Sequence, residues 1–117
     1  MSLEEALKQC FVSQKGNTFL YHIPADLPAF NGHFPGNPLV PGVCQFSLCA
    51  DAYGRIHNKC VEIKGVSRGK FIRPILPLSD IELTLTPRPD GQTLAELADA
   101  KTKQKLSQLI FSVKEYL

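Results

Sequence analysis

The chain has 117 residues and an apolar fraction of 44%, enough for one hydrophobic core and too little for two full domains, so residues 1–117 are read as a single domain. Its 13 basic and 11 acidic side chains are interspersed and sum to +2 at pH 7, and no run of like charges forms a nucleic-acid arm or an acidic tail. The cysteines Cys10, Cys44, Cys49 and Cys60 show neither a CxxC pair nor the paired spacing of a zinc site; no metal is expected, and free thiols in a reducing compartment are.

The first ten residues, MSLEEALKQC, lack the basic region and apolar core of a signal peptide, and no later apolar run is long enough to span a bilayer. A cytoplasmic location is therefore expected. Because a short domain buries a small fraction of its surface, a cleft is easier to build between two copies than within one, which favours a homo-oligomer.

Ser2 to Gln9 predicts a short helix with Ser2 as N-cap and Glu5 three residues on. Cys10 to Ile23 predicts a hairpin turning at Lys15-Gly16-Asn17. From Pro24 to Pro41 the density of proline and glycine excludes long regular elements and predicts an ordered loop. Gly42 to about Asn58 has helical length with apolar residues nearly all round, so the helix is expected to be mostly buried.

Val61 to Ile72, Ile81 to Thr86 and the closing run LIFSVKEYL read as strands of an antiparallel sheet, with Ile81, Leu83 and Leu85 alternating against Glu82, Thr84 and Thr86. Pro87-Arg88-Pro89-Asp90-Gly91 signals a turn, and the polar Lys101 to Lys105 stretch suggests another. The segment TLAELADAKTKQKL is read as containing a strand, although its Ala, Leu, Glu and Lys content favours helix.

The chemistry-bearing stretch is FNGHFPGNPLVPG. His33 sits in a Pro/Gly-rich loop nine residues before Gly42, the residue that opens the long helix. An imidazole can exchange a proton, and the unpaired amides of Gly42 and Val43 can bind developing negative charge. Histidine and glycine also serve purely structural roles, and His22 and His57 are read that way. Cys44 and Cys49 on the helix are read as small core residues, and Ser47 lacks the G-x-S-x-G context of a nucleophile.

Gly32-His33-Phe34-Pro35-Gly36 followed by Pro38-Leu39-Val40-Pro41-Gly42-Val43 resembles the active-site signature of the 3-hydroxyacyl-[acyl carrier protein] dehydratases. Lys70-Phe71-Ile72-Arg73-Pro74-Ile75, with Pro77 and Asp80 close behind, resembles that family's strand after the central helix. The resemblance implies an α+β hotdog fold, a long helix wrapped by a curved antiparallel sheet, acting as a homodimer or trimer of dimers with sites at the interface. It implies that His33 acts as base, that the Gly42 amide holds the thioester carbonyl, and that Phe34, Pro41 and Val43 contact substrate. No cofactor is implied; the partners are an acyl-ACP or acyl-CoA substrate and, through it, an acyl carrier protein.

One position departs from the pattern: Ser47 stands where the family places the carboxylic acid that protonates the departing hydroxyl. Serine has no readily available proton at neutral pH. Asp51, one turn on, is a candidate replacement acid, but Ser47, Asp51 and Arg55 share one helical face, so an Asp51–Arg55 ion pair is the alternative. Arg55, Lys59, Lys64, Arg68, Lys70 and Arg73 are candidates for a basic face toward an acidic carrier. Three functions remain open: dehydration of 3-hydroxyacyl thioesters to trans-2-enoyl products, thioester hydrolysis, and acyl-thioester binding without turnover.

Overall fold

In a computed structural model of the chain, residues 2–30 and 39–116 are described; His33 and Phe34 lie outside them. The Ser2 hydroxyl accepts from the Glu5 N–H at 3.1 Å and starts helix α1 (Leu3–Lys8), whose Ala6 and Leu7 are buried. Strands β1 (Phe11–Lys15) and β2 (Thr18–His22) form the expected hairpin, and Gly16 takes the left-handed φ of +61° that its turn requires. A short 3-10 turn at Pro28–Phe30 leads toward helix α2 (Gly42–His57).

Four longer strands follow: β3 (Cys60–Phe71), β4 (Asp80–Pro87), β5 (Thr93–Asp99) and β6 (Lys105–Tyr116). All pairings are antiparallel, and the six-stranded sheet runs β1-β2-β4-β5-β6-β3. Register shifts along β3 and β6 mark bulges, which bend a sheet so that it can curve around a helix. Phe19, Tyr21, Ile81, Leu83, Leu97, Leu109 and Phe111 point inward and form one core with Leu48, Cys49 and Ala52 of α2. This is the hotdog architecture.

Strand β5 resolves the conflict between propensity and pattern. Thr93, Ala95 and Leu97 are buried in alternation, and the strand is hydrogen-bonded on both sides, to β4 and to β6. Pairing on two edges outweighs a helix preference of a few tenths of a kcal/mol per residue.

Helix α2 differs from expectation. Cys44, Gln45, Leu48, Cys49 and Ala52 are buried, but Val43 is 72% exposed and Phe46, Ala50 and Tyr53 are only partly covered. The sheet curves over one side of the helix, and the other side borders an open cleft of about 630 Å³ against β3. Apolar residues all round the helix thus report one face on the core and one on that cleft.

Candidate functional site

Helix α2 starts without a side-chain cap. Pro41 occupies the N-cap and contributes no side-chain cap, while its carbonyl accepts from the Cys44 N–H at 3.0 Å. Just upstream, Val40 N–H donates to Ile75 O at 2.8 Å, tying the incoming chain to the segment after β3. The two amides that open the helix, of Gly42 and Val43, precede any helical acceptor, and none of the described residues accepts from them.

Glycine at position 42 has a second cause that the sequence conceals. A Cβ there would lie 2.9 Å from Phe71 Cζ, so the ring at the end of β3 occupies the space a side chain would take. Phe46, one turn into α2, meets Phe71 edge-to-face with centroids 6.5 Å apart.

Farther along the helix, the Ser47 hydroxyl donates back to Val43 O at 3.4 Å, a local bond common for mid-helix serines. Asp51 realises the ion-pair alternative. Its Oδ2 accepts from Arg55 Nε at 2.8 Å and from the Tyr21 hydroxyl at 2.7 Å, and its side chain is only 8% exposed. Arg55 in turn lies 3.8 Å from the Phe11 ring centroid and donates to Lys8 O at 3.3 Å, joining α1, β1 and β2 to α2. Burial, and then the Asp51 charge, hold the Tyr21 hydroxyl far above the usual phenol range.

Nine residues at 1.5 Å each separate Gly42 from Asp51 by about 13 Å along the axis. For a substrate held at this chain's own Gly42, the Asp51 carboxylate is out of reach of the adjacent carbons and is engaged elsewhere. Tyr21 was not among the sequence candidates. The available signal was a hydroxyl in the inward-facing Phe19-Tyr21-Ile23 alternation, where a buried donor needs an acceptor.

The four cysteines are free, and burial pushes the Cys10 thiol up to about 11, aided by the Asp51 charge, and also raises Cys44 and Cys49. His22 pairs with Asp80 at 2.8 Å, and the His57 ring packs tilted against Tyr53, with centroids 4.3 Å apart. Among the candidate basic residues, Lys64, Arg68 and Lys70 are exposed along β3, while Lys59 is paired with Glu115 at 2.8 Å. Among the described residues, no cluster of metal-ligating side chains occurs and no helix is long and apolar enough to cross a membrane.

The profile of the ApeI-like family, described as ApeI dehydratase, matches residues 9–110. The chain belongs to this family. Among curated proteins it is similar to the 3-hydroxyacyl-[acyl-carrier-protein] dehydratase FabZ of Haemophilus influenzae, 36% identical over 72 residues covering 55% of this chain and 49% of that protein. FabZ of Mannheimia succiniciproducens is 37% identical over 70 residues, 53% of this chain and 47% of its own length. The chain thus spans about half the length of the curated relatives it matches.

Among solved structures it is similar to the dehydratase heterocomplex ApeI:P from Xenorhabdus doucetiae, with a TM-score of 0.73 at 19% identity over 88% of this chain and 92% of that one. The E. coli PaaI protein of the phenylacetic acid degradation operon aligns with a TM-score of 0.60 at 12% identity, over 94% of this chain and 88% of that one. Both establish the shared hotdog fold. The ApeI-like match spans Gly42, Ser47, Asp51 and Phe71, so the helix start, the Tyr21–Asp51–Arg55 network and the aromatic pair all belong to the matched region.

Proposed function

We propose that this chain is a subunit of a 3-hydroxyacyl-thioester dehydratase. His33 takes the C2 proton, the Gly42 amide holds the enolate oxygen, and the C3–O bond breaks as the C2=C3 bond forms, giving a trans-2-enoyl thioester and water. Phe34, Pro41 and Val43 flank the thioester. The observation that carries this reading is the start of α2, where an uncapped helix end presents the Gly42 and Val43 amides without a described acceptor, inside a family-matched segment.

The proton for the departing hydroxyl is assigned to His33 itself: the imidazolium formed at C2 returns it to the hydroxyl, so the histidine ends neutral. Ser47 donates to Val43 and Asp51 is committed to Tyr21 and Arg55, which supports this assignment over a substitute acid. The acyl group arrives on an acyl carrier protein or coenzyme A, with exposed Lys64, Arg68 and Lys70 on β3 suited to an acidic carrier. The edge strand β3 suits pairing with a second hotdog subunit, an identical copy or a relative, in a cytoplasmic dimer.

The same two observations on Ser47 and Asp51 favour one second reading, a subunit that binds acyl thioesters without turning them over. Purified protein incubated with 3-hydroxyacyl and 2-enoyl thioesters should interconvert them, and His33→Ala should lower the rate by about 100-fold or more. Inert wild type whose Ser47→Glu variant gains turnover selects the second reading. Release of free acid without enoyl product identifies a thioesterase instead.

A further inference from the structure

We infer that Phe71 and Phe46 determine specificity, forming an aromatic wall that confines the acyl group to chains unbranched at C2; this rests on the reading of Gly42 as the carbonyl-binding amide. The wall packs over Gly42 and beside Gly69. At Gly42 an added Cβ would stand 2.9 Å from Phe71 Cζ and 3.3 Å from its Cε1, and at Gly69 it would stand 3.6 Å from Phe71 Cε2 and 3.7 Å from Phe46 Cζ. The Phe71 ring therefore fills the space a side chain at Gly42 would occupy, whereas a Cβ at Gly69 would only touch the two rings at ordinary contact distance; the rings meet edge-to-face at 84°.

Phe71 is nevertheless 51% exposed, so one part of its ring covers Gly42 and the rest faces outward beside the helix start. A carbonyl oxygen accepting from the Gly42 N–H sits about 2.9 Å from that nitrogen. C1 and C2 of the acyl group then fall within the next two bonds, alongside the ring. A flat enolate can lie against an aromatic face, whereas a methyl branch at C2 projects toward it. The Phe46 ring braces Phe71 from the helix side by its edge-to-face contact, and one misplaced methyl in such a pocket costs on the order of 10-fold or more.

The test separates binding from turnover. Ketone analogues of butanoyl- and 2-methylbutanoyl-pantetheine, with a methylene in place of sulfur, undergo neither dehydration nor hydrolysis, and their affinities are measured by titration calorimetry. Wild type should bind the straight-chain analogue about 10-fold more tightly, and Phe71→Ala should bring the ratio to about 3 or less. Phe46→Leu, a milder change, should lower the ratio in the same direction, and urea unfolding establishes that each variant is folded.

Equal affinities in wild type, a ratio unchanged in both variants, or no binding of either analogue overturns the inference. A responsive ratio in a protein without dehydratase turnover leaves the wall standing and removes the dehydratase reading. Turnover with a flat ratio does the reverse.

Discussion

The Tyr21 hydroxyl donates a 2.7 Å hydrogen bond to Asp51 Oδ2 across the interface between β2 and α2. Tyr21 is fully buried and the Asp51 side chain nearly so, whereas Arg55, the other donor to the same oxygen, is one-third exposed. The buried half of this network therefore contributes most. Tyr21→Phe keeps the ring packing and removes one hydrogen bond to a charged acceptor, for an expected loss of about 2 kcal/mol in urea unfolding. Arg55→Ala removes an ion pair whose arginine is one-third exposed and a stacking contact on Phe11, for about 1 kcal/mol. An Arg55 loss larger than the Tyr21 loss would reverse this ranking.

The same pair marks the boundary of what was legible in the chain. Helix α2 and its opening glycine follow from a Pro/Gly-rich loop ending in an apolar run of helical length, and β4 follows from the alternation of Ile81, Leu83 and Leu85. The stripe Ser47-Asp51-Arg55 was visible from spacing alone, with both of its readings. Tyr21 was not, because its approach to Asp51 depends on how β2 passes beneath the helix. Phe71 lay inside a recognised motif, yet its place over Gly42 depends on β3 pairing with β6 rather than with its sequence neighbour β4. Order in an antiparallel sheet is set by long-range packing, which leaves little trace in local pattern.

Asp80 contributes to acid sensitivity. Its carboxylate accepts from His22 at 2.8 Å and has Lys101 at 3.6 Å, and the His22 hydrogen bond, with Lys101 beside it, holds its pKa below the ordinary 3.8. A depressed folded pKa means that the unfolded chain binds the proton more readily. The stabilisation is present above 3.8 and is lost as pH falls through the lower folded value. Asp90, Asp99 and Glu115 are lowered in the same direction. Asp80→Asn should therefore reduce the difference in urea midpoint between pH 6 and pH 3. An undiminished difference would show that Asp80 takes no part in the acid response.

The turn before β4 carries its own strain. Leu78 adopts a φ of +66° while its side chain is 65% exposed, so little burial offsets a left-handed backbone that costs an ordinary residue about 1–2 kcal/mol. The conformation is imposed from both sides: Leu78 N–H donates to Ile23 O at 2.7 Å, and Ser79 N–H to Leu76 O at 3.3 Å. Asn58 shares the geometry at φ 52°, but as the C-cap of α2 it is a residue type that tolerates it. Substituting glycine relieves strain at Leu78 far more than at Asn58. Leu78→Ala removes the side chain and keeps the strain, so it is the proper reference. Leu78→Gly should exceed Leu78→Ala by about 1 kcal/mol in urea unfolding, with Asn58→Gly within about 0.5 kcal/mol of wild type. Equal stabilities for the two Leu78 variants would mean that the turn relaxes out of the left-handed region when the leucine is removed.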